Sequence, residues 1–214
     1  MSPKVHLIRH AQAHHNVDFD NHSFPDAALT LTGKEQCNEL NARTITNIQA
    51  SAQLLVSSPL RRTLQTTLLG FPHLIKRLGG PNAIIALPQL QENGSSPADT
   101  GSSRAELEKQ EEFEGIDFSL LEDEWNSKSG VWSPSETSLR KRAGWTRQWL
   151  AERPEEEIVI VSHGGALRYL TEDYASHQPW GNTECRTYTL SEEMSDYGGP
   201  KLILSAPAYQ AVQF

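Results

Sequence analysis

The 214-residue chain has the length of one domain, and its 37% hydrophobic and 21% charged residues are typical of a globular protein with its own core. The net charge of −8 does not favour binding to nucleic acid or to an anionic membrane. An anionic substrate would therefore need a local cluster of cations. No apolar run reaches the ~20 residues of a membrane span. Without a signal-peptide pattern, and with Cys37 and Cys185 in no metal or redox spacing, we expect a cytoplasmic protein with free thiols.

The first half of the chain alternates short apolar runs with helical patterns. The run from residue 4 ends in Arg9-His10 and predicts a buried strand that delivers both side chains to its C-terminal edge. A polar loop over 11–28 follows, and then a helix over 34–48 with Thr32 as its N-cap. The pattern next predicts a strand over 54–58, a helix over 60–71 and a strand over 82–88.

The second half begins with a Gly/Ser/Pro loop over 93–104 and an acidic stretch over 105–131, which we interpret as a solvated helix face. A helix over 135–152, a strand from residue 158 to Ser162-His163 and a helix over 166–174 follow. Runs at 184–190 and 202–206 fit antiparallel edge strands. This alternation predicts an α/β fold in three layers, with a largely parallel sheet covered by helices on both faces. We expect a single domain, 1–214, with 93–135 as a small capping insertion that carries substrate specificity.

The strand exits collect four cationic or titratable side chains, namely Arg9, His10, Arg62 and His163. Guanidinium groups pair with phosphate oxygens in planar geometry, and a neutral imidazole can accept a phosphoryl group as a nucleophile. Gly164 and the glycine after it permit close backbone approach at a helix N-terminus, where free N–H groups favour an anion. A carboxylic acid must protonate the departing alkoxide, and Glu92 is the best placed because it directly follows a strand.

The chain resembles the histidine phosphatase superfamily, in its phosphoglycerate mutase-like branch. The matching motifs occur in family order, and they are LIRHAQ with Asn16, LTxxxQ over 31–36, SSPLRRTxQT from residue 57, LQE ending at residue 92, and VSHGG from residue 161.

This resemblance implies His10 as the phosphorylated nucleophile and Arg9, Arg62 and His163 as the rest of the phosphate pocket. It also implies Glu92 as the general acid and Asn16 as a contact of the phosphoryl group, with Gln12 and Gly164 as further substrate-binding positions. No metal and no organic cofactor are implied. Ala11 replaces the usual glycine, and the residues after Glu92 do not match the mutase pattern. The resemblance therefore favours a metal-independent phosphatase of a small phosphorylated molecule.

Three other functions remain open at this point. A mutase would return the phosphoryl group to a substrate hydroxyl. A lyase, an isomerase or an anion-binding module would use the same cations for another ligand, and a metallohydrolase could use the His10-x-x-x-His14 spacing. The sequence does not indicate the oligomeric state or the identity of the substrate.

Several side chains have a structural interpretation beside a functional one. We expect His6 to be a satisfied sheet-face residue, and we expect His14, His15 and Arg61 to be solvated. Asp99 is either a second rim carboxylate or a turn residue. The indoles of Trp125, Trp132 and Trp180 either pack in the core or line a leaving-group pocket.

Overall fold

The computed structural model describes residues 2–174 and 178–209, and its centre is a six-stranded sheet in the order β3-β2-β4-β1-β5-β6. Four strands are parallel to one another, while β5 pairs antiparallel with β1 and β6 pairs antiparallel with β5. The prediction of a largely parallel sheet with antiparallel strands at one edge is confirmed. The strands are β1 (Lys4–Arg9), β2 (Leu54–Ser57), β3 (Ile84–Ala86), β4 (Glu157–Ser162), β5 (Cys185–Met194) and β6 (Pro200–Tyr209).

Helices cover both faces of the sheet, as predicted. Alternate residues of each central strand face opposite layers, so Ile8 packs in one apolar cluster while Leu7 packs in the other. Leu64 belongs to the first cluster and Leu167 to the second. The helices are α1 (Leu31–Thr44), α2 (Ile48–Ser51), α3 (Arg61–Gly70), α4 (Pro72–Leu78), α5 (Arg104–Leu107), α6 (Glu136–Ala151) and α7 (Gly164–Thr171). None of the helices in the described part of the chain combines the length and the apolar composition that a membrane crossing requires.

The strand register fixes the relative position of the two site histidines. Arg9 pairs with Ser162 across β1 and β4, so the next residue of each strand is a histidine at the same sheet edge. β4 lies between β1 and β2 although it comes later in the chain, so connections leave β1 and β4 in opposite directions. Such a switch point opens a crevice beyond the carboxyl ends of the strands.

The helix boundaries differ from the predicted ones where capping decides them. The N-cap of α1 is Thr30, whose hydroxyl accepts a hydrogen bond from the Gly33 N–H at 3.0 Å, and not Thr32. Thr30 and Thr32 both fit the capping pattern in the sequence, and Gly33, whose N–H is bound by Thr30, packs against the backbone carbonyl of Gln12. A Cβ on Gly33 would lie 2.0 Å from that oxygen. The helices α2 and α4 are absent from the sequence prediction, and α7 begins two residues before the predicted start.

The acidic stretch is not a solvated helix face, which corrects the prediction. Within 105–131 the described chain has only the end of α5 and isolated 3-10 turns between irregular segments. Its acidic side chains are exposed, while most of its large apolar side chains pack against the main core. These buried residues are Leu107, Phe113, Ile116, Phe118, Leu121 and Trp125. A bridge between Ile85 and Asp117 lays the segment along the outer edge of β3.

Candidate active site

His10 lies immediately after β1 and is 1% exposed. Its Nδ1 is 2.7 Å from the Ala11 carbonyl oxygen. Because a carbonyl can only accept a hydrogen bond, Nδ1 carries the proton and Nε2 presents a lone pair. Burial, followed by the charges of Arg62 and Arg9, holds the pKa of His10 well below its ordinary value. The imidazole is therefore neutral, and its lone pair is on one defined nitrogen, Nε2.

Arg62 is fully buried in the first turn of α3 and points at that nitrogen. Its Nε donates to His10 Nε2 at 3.2 Å, while Nη1 donates to the Ala98 carbonyl and Nη2 to Asp99 Oδ1 at 3.0 Å. The guanidinium is thus fixed in one plane by three partners. Arg9 reaches the same pocket from β1, where Nη1 donates to the Trp180 carbonyl and Nε is buried without a described partner. Both arginines can donate hydrogen bonds from N–H groups in fixed positions to an anion at His10.

His163 follows β4, and its ring centroid lies 5.2 Å from that of His10. Its Nε2 is 2.8 Å from the Ser58 hydroxyl oxygen, and its Nδ1 is buried without a described partner. Burial first, and then the charge of Arg62, holds the pKa of His163 well below its ordinary value. An anion bound between the two rings would offset the cost of protonating either one.

Glu92 follows β3 after a 3-10 turn, and its carboxylate caps the start of α7. Its Oε1 accepts hydrogen bonds from the N–H of Asn93 at 2.8 Å and of Ala166 at 3.2 Å. Burial, followed by the charge of Asp99, raises the pKa of Glu92 above its ordinary value, although these N–H donors and the arginines oppose the shift. The side chain approaches so closely that a Cβ on Gly165 would lie 2.5 Å from Oε1. A larger residue here would therefore have to displace the side chains of Glu92 and Asn93.

Asp99 lies inside the site, opposite Arg62. Its Oδ1 accepts from the guanidinium at 3.0 Å and its Oδ2 accepts from the Ser96 hydroxyl at 3.0 Å. The two interpretations of this residue both apply, because it ends a 3-10 turn and also contributes a carboxylate to the pocket.

A comparison with known protein families shows to which family the chain belongs. Residues 5–201 match the model of the histidine phosphatase superfamily, branch 1. The chain belongs to this superfamily. The resemblance inferred from the motifs is thus confirmed over most of the chain.

Several known proteins match the chain along most of its length. Phosphoglycerate mutase-like protein 1 of Arabidopsis thaliana is 32% identical over 196 residues, which cover 76% of this chain and 68% of the relative. A probable phosphatase of Schizosaccharomyces pombe is 28% identical over 167 residues, covering 77% and 75%. A phosphoserine phosphatase variant from Entamoeba histolytica, solved in complex with phosphoserine, shares the fold at a TM-score of 0.54 and 20% identity, with 94% of each chain covered.

The structure brings five of the predicted site residues together at one sheet edge: Arg9, His10, Arg62, Glu92 and His163. Asn16 lies beside them, but its Oδ1 accepts from the Ala13 N–H and its Nδ2 lies 3.1 Å from His15 Nε2. The side-chain Oε1 of Gln12 accepts a hydrogen bond from the Thr30 hydroxyl at 2.8 Å. This part of the Gln12 side chain therefore stabilises the loop that leads to α1. A Cβ on Gly164 would come no closer than 3.6 Å to Arg9 Nε, so the steric demand falls on Gly165 instead.

His15 is buried and not solvated, which corrects the sequence interpretation. Its ring centroid lies 5.6 Å from that of His10, its Nδ1 is buried without a described partner, and burial lowers its pKa to about 3. The polar residues around His15 do not indicate this burial, which arises because the loop over 11–28 folds back onto the pocket. His14 is exposed as expected.

The remaining open residues have structural partners. The His6 ring is hydrogen-bonded to the side chains of Thr187 and Glu157 on the sheet, as expected. Arg61 forms a partly exposed ion pair with Glu112. All three tryptophans in question are buried in the core, at residues 125, 132 and 180. Among the residues that the structure describes, no three His, Cys, Asp or Glu side chains are grouped as a metal site would require.

Proposed function

We propose that this protein is a phosphoric monoester hydrolase that acts through phospho-His10. The observation that carries the proposal is the single tautomer of His10, whose unprotonated Nε2 accepts a hydrogen bond from Arg62 in a pocket lined with cations. In the first step this lone pair attacks phosphorus, the P–O ester bond breaks, and the leaving oxygen takes the proton of Glu92. In the second step water attacks phosphorus and returns a proton to Glu92, the P–N bond breaks, and inorganic phosphate leaves.

Most of the rate enhancement would come from charges that are already in place. The transferring phosphoryl group carries its negative charge on three oxygens. Arg9 Nε is buried without a described partner, which is the state expected of a donor that awaits a ligand. His163 Nδ1 is also buried without a described partner, and it is a donor in the tautomer whose Nε2 accepts from the Ser58 hydroxyl. Three of the five Arg62 N–H groups have partners before substrate binds, and we propose that the second N–H groups of Nη1 and Nη2 donate to phosphoryl oxygens.

Glu92 is the better proton donor of the two carboxylates. Its pKa is raised by burial and by Asp99, so its protonated form persists to higher pH. Asp99 instead forms an ion pair with Arg62, whose Nη2 lies 3.0 Å from Asp99 Oδ1. We therefore assign the proton to Glu92 and assign to Asp99 the placement of Arg62.

The other predicted substrate contacts retain donors for this role. One N–H of the Asn16 amide faces His15, which leaves its second N–H for a phosphoryl oxygen. Gln12 offers its amide N–H groups, and Gly164 offers its backbone N–H in the first turn of α7. We propose a small phosphorylated molecule as substrate, because only the focused pocket is positive on a chain of net charge −8. Free, buried Cys37 and Cys185 support the cytoplasm as its compartment.

Phosphate release from p-nitrophenyl phosphate by the wild type and by His10→Ala tests this proposal. We expect turnover that continues in the presence of a chelator and falls by at least about 10³-fold in the variant. A folded wild-type protein that binds phosphate without turning over any phosphomonoester would favour an anion-binding module. Isomerisation of 3-phosphoglycerate that outpaces phosphate release would instead identify a mutase.

A further inference from the structure

The proton of the His15 ring has a defined position, which a short chain of hydrogen bonds fixes. Burial lowers the pKa of this ring to about 3, so the ring is neutral at physiological pH. The backbone N–H of Ala13 can only donate, so the amide atom of Asn16 that accepts from it at 3.1 Å is Oδ1. The amide nitrogen Nδ2 of Asn16, which can only donate, lies 3.1 Å from His15 Nε2. Nε2 therefore carries the lone pair of the ring, and Nδ1 carries the proton.

This Nδ1–H group has no hydrogen-bond partner among the described residues. His15 is 8% exposed and its Nδ1 is itself buried, so bulk water does not replace a protein partner. Buried polar groups are nearly always hydrogen-bonded, because a donor removed from water without a partner costs free energy. The accepting nitrogen explains how the ring holds Asn16, but it does not explain the unused donor. A ligand atom that accepts from Nδ1 would explain it.

Ring packing places His15 at the border of the phosphoryl pocket. Its ring centroid lies 5.6 Å from that of His10, and the two ring planes are tilted by 49°. Burial first, and then the charge of Arg62, lowers the pKa of His15, as it does for the other histidines of the site. Arg62 Nε donates to His10 Nε2, so this guanidinium marks the place that a phosphoryl group on His10 must occupy. His15 therefore borders that place from the loop over 11–28.

The loop holds the ring in this position. A bridge joins Ala13 to Leu29, and the Leu29 N–H donates to Gln65 Oε1 of α3 at 2.9 Å. The ring of His22 packs edge-on against His15 with a centroid distance of 5.5 Å. A donor held in this way is oriented before substrate binds, and preorganised donors are the ones that stabilise charge developing in a transition state.

We propose that His15 is a further catalytic residue, whose Nδ1–H donates a hydrogen bond to a phosphoryl oxygen during transfer to and from His10. The inference rests on the proposed function and adds a neutral donor to the pocket. The transferring group carries its negative charge on three oxygens, so donors beyond the arginines have acceptors available. His15 moves no proton in either step, because Glu92 exchanges the proton with the ester oxygen and then with water.

Two amide substitutions separate the donor at Nδ1 from the acceptor at Nε2. The amide nitrogen of asparagine falls near the place of the imidazole Nδ1, so His15→Asn keeps a donor there but does not reach Asn16. The longer glutamine places its amide near Nε2, so His15→Gln keeps an acceptor for Asn16 and loses the donor. We expect kcat/KM on p-nitrophenyl phosphate to fall about 10²-fold in His15→Gln, as removal of one transition-state donor does, and by less than about tenfold in His15→Asn.

Two further measurements distinguish the hydrogen bond from a structural role. Orthovanadate adopts the five-coordinate geometry of the transferring phosphoryl group, and it should inhibit His15→Gln about tenfold more weakly than His15→Asn. In the wild type, the ¹H–¹⁵N signal of the His15 Nδ1–H, assigned from its ring couplings, should move downfield and exchange more slowly with water when orthovanadate binds. His14→Asn and His14→Gln, at the exposed neighbouring histidine, should keep wild-type kcat/KM and vanadate inhibition.

The outcomes separate this inference from the proposed function. Wild-type turnover in His15→Gln, equal losses in the two His15 variants, or a larger loss in His15→Asn would overturn the role of His15 and leave the hydrolase intact. If neither variant folds, the wild-type signal decides, and a Nδ1–H that orthovanadate leaves unchanged contradicts the inference. Absence of turnover by the wild type with every phosphomonoester would overturn the hydrolase instead. In that event calorimetry with inorganic phosphate decides, because His15→Gln must weaken binding more than His15→Asn, and equal affinities would contradict the hydrogen bond.

Discussion

Gly165→Ala should disable the proton donor without touching the nucleophile. The added Cβ would lie 2.5 Å from Glu92 Oε1 and 2.4 Å from Asn93 Oδ1, whereas ordinary contact begins at 3.4 Å. The carboxylate must therefore retreat by about 1 Å, and a misplacement of this size costs about 10²-fold in rate. The hydrogen bond from the Ala166 N–H to Oε1 would also be strained or lost. We expect kcat on an alkyl phosphate to fall about 100-fold.

The dependence on the leaving group distinguishes this effect from general damage. An alkoxide needs a proton to depart, but nitrophenolate is a good leaving group without one. Gly165→Ala should thus lose much less activity on p-nitrophenyl phosphate than on glycerol 3-phosphate. Gly164→Ala, whose Cβ would come no closer than 3.6 Å to Arg9 Nε, should show a smaller loss on the alkyl ester. Equal losses on both substrates in a variant with wild-type thermal unfolding would refute the reasoning.

Other predictions follow from the same contacts. Because the pKa of Glu92 is raised, kcat on alkyl phosphates should decline as pH rises through that pKa, and Glu92→Gln should abolish this limb of the pH profile. The pKa values of His10, His15 and His163 are lowered in the folded protein. Just below pH 6.5 these three histidines are therefore protonated in the unfolded chain but still neutral in the folded one. The free energy of unfolding, measured in urea, should therefore fall below that pH, by up to about 1.4 kcal/mol per pH unit for each histidine, and a flat profile would contradict their neutral state. Arg62→Lys should reduce kcat/KM by about 10²-fold or more and weaken inhibition by phosphate, since an ammonium cannot reproduce the fixed guanidinium fork; wild-type inhibition would argue against its role.

The part of the site that follows from strand order could be predicted from the sequence. One apolar run ends in Arg9-His10 and another ends in Ser162-His163. If the two strands are parallel neighbours, both histidines must lie at the same sheet edge, because the carboxyl ends of the strands meet there. The position of Arg62 follows in the same way, from a buried strand that leads into a helix at that edge.

The features that were missed depend on tertiary contacts. His15 sits in a polar loop, and only the return of that loop onto the pocket buries it. The acidic stretch conceals a core contribution from Phe113 and its apolar neighbours, whose spacing fits no regular helix or strand period.

The most direct test of the account is to trap the phosphorylated enzyme. Rapid quenching of the wild-type protein with a ³²P-labelled phosphomonoester should yield protein-bound label that is lost in acid and kept in alkali, and peptide mapping should place it on His10. His10→Ala should carry no label. Label that survives acid, label on His163, or rapid hydrolysis with no trapped label in the wild type would contradict the central claim.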